Sequence, residues 1–138
     1  VQLEKGSTAT DFEYVDYGRQ LQMCQRYYEK SYDQSVAPGS NTSVGVMSVY
    51  SSIGSSTNRF FGHPNYLVPK RASIVSITFY TATGTAGSIS KYSSSATTLA
   101  VSSIGSGYGE NKIGTYIQTT GGDASEPYVF HYTASAEL

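Results

Sequence analysis

The stretch SIVSITFYT, Ser73 to Thr81, decides the class of the fold. Val75, Ile77 and Phe79 alternate with Ile74, Ser76, Thr78 and Tyr80, so the two sets fall on opposite faces of an extended chain. Its β-branched and aromatic residues suit a pleated, half-buried surface. Outward from this strand the same signal recurs. Tyr128 to Thr133 sets Tyr128, Phe130 and Tyr132 against Val129, His131 and Thr133. Val44 to Ser52 alternates in part, with Val44, Val46, Ser48 and Tyr50 on one side and Met47 and Val49 on the other. Thr98 to Ile104 and Ile113 to Thr119 read as further strands, and Thr83–Ser88, Gly105–Gly109 and Gly121 with Gly122 as hinges between them. Short strands at this spacing predict a mainly β domain, an antiparallel, jelly-roll-like β-sandwich.

One segment departs from the period of two. From Tyr17 to about Ser31, the residues Tyr17, Leu21, Cys24 and Tyr28 recur at spacings of four, three and four, one face of an α-helix. Asp16 is placed to cap its first turn. This face is expected to pack on the sheet or on another subunit. Residues 1–16 show no helical period and read as an arm or the end of a preceding domain, with 17–138 forming the helix-plus-sandwich module. The chain starts at Val1, not Met, as expected of a processed product or a piece of something longer.

Composition narrows the function. The 138 residues carry 14% charge, well below the roughly 25% usual for globular proteins. Ser and Thr make up roughly a quarter of the chain. Net charge is −1 and the basic residues are scattered, which argues against a nucleic-acid partner. No apolar run approaches the roughly 20 residues that would insert in a membrane as a helix. Low charge also fits a surface partly covered by another subunit.

Chemistry-bearing constellations are sparse. The one cysteine, Cys24, allows no internal disulfide and reads as a small buried residue. Histidines occur only at 63 and 131, with no nucleophile elbow, and two distant imidazoles do not make a metal site. Glu110, Asp123 and Glu126 lie in loops of the β region and read as solvated acids, not as a glycosidase pair. No catalytic residue, metal ligand or cofactor is therefore expected. Tyrosine is the distinctive residue, 13 copies with no tryptophan. Its flat apolar face and polar tip suit interfaces and the stacking of sugar rings. Tyr66, Tyr92 and Tyr108 fall in predicted loops and are candidate glycan contacts. Tyr108 lies in GSGYGEN with Asn111 as a hydroxyl partner.

Three stretches together resemble a family. VQLEKGSTATDFEY followed by YGRQLQMCQRYYEKS is similar to a junction in phage tail-fibre and virion structural proteins. There a jelly-roll, carbohydrate-binding-like domain closes and leads into a CQRYY-containing helix. YLVPKRASIVSITFY resembles that family's turn into a central strand, and FHYTASAEL its carboxyl terminus. The family's Arg-Pro or Arg-x-x-G pair before the helix is replaced here by YVDYG, which puts the charge contacts at the helix start in question. The resemblance implies a virion location in a tail fibre or other appendage, a homotrimer, and other virion proteins and host surface polysaccharide as partners. It implies receptor binding through glycan, or else a purely architectural module that trimerises, caps or decorates. A depolymerase activity would more naturally sit upstream.

Overall fold

A computed structural model describes residues 5, 7–8, 14–51, 57–61, 65–72, 76–94, 97–104, 117–122 and 126–136. They form one helix, α1 (Tyr17–Gln25), and eight strands: β1 (Tyr28–Lys30), β2 (Met47–Ser51), β3 (Thr57–Phe61), β4 (Ser76–Tyr80), β5 (Ser88–Lys91), β6 (Thr98–Ile104), β7 (Ile117–Thr120) and β8 (Pro127–Ser135). The described residues are mainly β and antiparallel, as the alternating stretches predict, with a single short helix among them.

Strand β8 organises the sheet, because it pairs with four others. Its first half lies between β2 and β5, with Val129 opposite both Ser48 and Ser90. Its second half lies between β4 and β1, with Tyr132 opposite Phe79 and Ala134 opposite both Ile77 and Glu29. From β8 the pairings run to β2, β3, β7, β6 and β5 and return to β8, so each of these six strands has a neighbour on both sides. Closing such a circuit hides the edges that would otherwise invite foreign strands. Two sheets sharing one long strand are consistent with a β-sandwich.

This position explains the composition of β8. Residues 128–134 are all buried, so both alternating sets that its sequence presents are covered. Tyr128, Phe130 and Tyr132 join Val49, Phe79, Ile89 and Ile117 in the core, with Phe79 edge-on to Phe130 at 5.4 Å. The faces expected of β2 and β4 hold. Val49 is buried and Met47 packs on the core while Ser48 and Tyr50 are exposed, and Ile77 and Phe79 turn inward together. β6 has the predicted bounds. Of the predicted strand Ile113 to Thr119, residues 117–119 lie in β7, and residues 113–116 lie outside the described part.

The helix is shorter than its periodicity predicts. It ends at Gln25, and Tyr28–Lys30 instead pair with β8 as β1. Two tertiary contacts decide this: the Lys70 ammonium caps the helix by donating to the Gln25 carbonyl at 2.6 Å, and Ala136 N–H donates to the Tyr27 carbonyl at 2.7 Å. A cation at a helix C-terminus is attracted by the negative end of the dipole there and so favours an end at Gln25, and the open edge of β8 draws the following residues into the ladder. Asp16 is the N-cap, its carboxylate accepting from the Gly18 and Arg19 amides. None of the helix residues is buried, and Cys24, expected in the core, is exposed. The helix stands over a cavity instead of lying on a packed sheet.

Candidate ligand-binding surface

The register of β2, β8 and β5 creates one feature that no single strand contains. Tyr50 lies opposite Pro127 on one side. On the other, Tyr92 N–H donates to the Pro127 carbonyl at 3.0 Å, continuing the pairing of Lys91 with Tyr128 by one residue. Residues directly opposite one another point to the same face, so Tyr50, Pro127 and Tyr92 form a row across three strands. Both rings are solvated, Tyr50 at 62% and Tyr92 at 73% exposure, with half-buried Pro127 between them. Tyrosines so exposed on a hydrogen-bonded ladder offer apolar faces at little further ordering cost. At the end of the ladder the Ser93 hydroxyl donates to the Glu126 carboxylate, and Lys91 Nζ lies 3.8 Å from the same oxygen.

A second feature is a cavity of about 560 Å³ between α1 and the sheet. Leu21, Cys24 and Gln25 form its helical wall, Tyr28 and Met47 lie on the strands, and Asn65 and Leu67 close the far side. Its size is that of a small-molecule site, but two of its charged groups, Glu29 and Lys30, are already engaged. Glu29 Oε1 accepts from the Tyr132 hydroxyl at 2.7 Å, Oε2 from Lys70 at 2.6 Å, and both oxygens from the Leu67 amide at 3.1 Å. Lys30 Nζ donates to the Gln34 and Val36 carbonyls. A carboxylate holding four such contacts is a structural anchor, not a poised acid or base. Burial, followed by the bond to Glu29, raises the Tyr132 phenol above its ordinary value. Burial and then the Glu29 charge push Tyr66 up to about 12.

The predicted site residues separate. Tyr92 is at the surface, in the row just described. Tyr66 is not a ligand-facing loop residue: at 7% exposure it belongs to the core, its ring 4.6 Å from the Lys70 ammonium. Asn65 beside it is exposed, so the chain turns the Tyr66 ring inward between two exposed neighbours, Asn65 and Leu67. Tyr108, Asn111 and His63 lie outside the described residues. Of the helix face, Tyr17, Cys24 and Tyr28 are exposed and Leu21 is half-buried, so this chain alone does not bury it. Tyr17 instead donates to Gln34 Oε1 at 2.8 Å. Tyr50 was legible only as a strand residue; its pairing with Pro127 depends on a register that the sequence does not display.

His131 is structural. It is fully buried and stacked on Tyr32 at 3.9 Å. Its Nε2 faces the Thr42 carbonyl at 3.0 Å, a group that can only accept, so this nitrogen carries the proton and Nδ1 accepts from the Ser31 hydroxyl at 3.0 Å. Ser31 Oγ in turn accepts from the Tyr132 amide, tying three segments together. Among the described residues no cluster of His, Cys, Asp or Glu could hold a metal ion, and no helix is long and apolar enough to cross a membrane. Compared with protein families, curated proteins and solved structures, the chain matches none of them.

Proposed function

We propose that this chain is a non-enzymatic module of a bacteriophage tail fibre or similar virion appendage that binds host-surface glycan. The observation that carries the binding reading is the row Tyr50–Pro127–Tyr92, two solvated aromatic rings fixed on hydrogen-bonded strands. Sugar rings have a flat face of C–H groups that stacks on such aromatics. The virion setting rests on the resemblance carried by CQRYYEKS and its flanking stretches. The jelly-roll-like form of the β-sandwich belongs to the same proposal. So does Tyr108 with Asn111 as a further loop contact. A glycan array probed with the purified chain tests the reading: binding that disappears in the Tyr50→Ala/Tyr92→Ala variant supports it, and silence across host-surface glycans counts against it.

A purely architectural role is the second reading, and the helix favours it. α1 buries none of its own residues, and Tyr17, Met23, Tyr27 and Tyr28 are exposed around it. Nine residues are too few for a helix to persist on its own propensity. In a homotrimer, Tyr17, Leu21, Cys24 and Tyr28 would meet other copies, and Leu21→Asp would release monomers. Light scattering reads this directly, as three times the 14.8 kDa chain mass or one.

A further inference from the structure

The dimensions and charge of the tyrosine row bear on which glycan it takes. Adjacent strands lie about 4.8 Å apart, so Tyr50 and Tyr92, separated by β8, stand about 10 Å apart across the strands. That is roughly the span of two linked pyranose rings. Half-buried Pro127 fills the interval with a third apolar surface, leaving the row nearly continuous. Lys91, Ser93 and Glu126 alternate with Tyr92 and Pro127 and so fall on the opposite face, engaged with one another, while the next residues on the row's own face, Ser48, Val129 and Ser90, are uncharged. With no charge among these neighbours, the row offers no ionic partner to a sialylated or sulfated sugar.

We infer that the row takes an uncharged oligosaccharide of at least two rings, laid across β2, β8 and β5; this rests on the glycan-binding reading above. Each tyrosine stacks on one ring, and the chain direction runs perpendicular to the strands. Affinity comes from apolar contact, so it responds to ligand length and hardly to salt.

The test is calorimetric titration of the whole chain with neutral β-linked gluco- and galacto-oligosaccharides of one to four rings. Sialylated and sulfated counterparts are run alongside, at low and high salt. Affinity should rise about tenfold from one ring to two, and Tyr50→Ala or Tyr92→Ala should each return the disaccharide to the monosaccharide level. Both rings are exposed, and unchanged thermal melts will confirm that the variants fold. Tighter binding of the acidic glycans that weakens with salt would overturn the ligand class, as would a monosaccharide bound as tightly as a tetrasaccharide. Either result leaves glycan binding standing. Undiminished binding by the two variants would overturn the location, and no binding of any glycan would overturn both inferences.

Discussion

The Lys70 ammonium donates to Glu29 Oε2 at 2.6 Å, with the two side chains 0% and 1% exposed. The pair joins the segment before β4 to β1, 41 residues apart in the chain, and Tyr132 of β8 completes it. Removing one partner strands a charge in the interior. Glu29→Gln is expected to lose about 3–5 kcal/mol, read as a lower urea midpoint. The Glu29→Leu/Lys70→Met pair should recover only part of this, because Leu67 N–H and the Tyr132 hydroxyl lose their acceptor. A single variant as stable as the wild type would contradict the anchoring role.

Alkali should weaken the fold through two phenols. Tyr66 is pushed up to about 12 by burial and then by Glu29, and Tyr132 is raised for the same reasons together with its bond to Glu29. An unfolded tyrosine releases its proton near 10. The unfolded chain therefore loses protons first as pH rises, so both groups contribute fully below about pH 10 and lose their contribution above it, Tyr66 through about 12. Urea midpoints should hold to about pH 9 and fall beyond 10. The Tyr66 hydroxyl has no hydrogen-bond partner among the described residues, so Tyr66→Phe should match or exceed the wild type at neutral pH and show a shallower alkaline decline.

Two glycines separate backbone strain from collision. At Gly45, φ +81°, an added Cβ would lie 2.0 Å from the Ser31 carbonyl oxygen; at Gly87, φ +71°, it would meet nothing within 4 Å. Gly87→Ala should cost about 1–2 kcal/mol from the left-handed backbone alone. Gly45→Ala must also displace the segment that carries Ser31 and its bond to His131, and should cost clearly more in the same melt. Equal losses would show that the Ser31 segment yields freely.

Asp16 offers a local probe. Its carboxylate caps α1, and loss of such a cap costs about 1 kcal/mol of helix stability. Because α1 buries nothing, Asp16→Ala should speed amide exchange in residues 18–25 while leaving the global unfolding midpoint nearly unchanged. A fall in the global midpoint would mean that the helix is coupled to the sheet.

The strands that could be read from the sequence were those whose side chains announce them. Ser76–Tyr80 and Pro127–Ser135 alternate strongly, and Thr98–Ile104 runs up to the glycine-rich sequence Gly105–Gly109. β1 and β5, with three and four residues, are too short and too polar to stand out. Tyr28 continues a helical spacing, but pairing with β8 overrides a local preference. Glu29 and Lys70 read as ordinary charges because nothing local signals that a fold will bury both. Tyr92 could be proposed as a ligand contact from its loop position, whereas Tyr50 required the register of β2 against Pro127. Tyr66 followed the same loop logic and failed, since the segment that carries it is drawn beneath Lys70.

The most direct test of the central claim is a chemical-shift map of the isotope-labelled chain titrated with a neutral β-linked oligosaccharide. Glycan binding on the row predicts perturbations centred on Tyr50, Tyr92 and Glu126, with the helix unaffected. Perturbations centred on Leu21, Cys24, Tyr28 and Asn65 would move the site to the cavity beneath α1, and a spectrum unchanged at saturating neutral sugar and with its sialylated and sulfated counterparts would contradict glycan binding altogether.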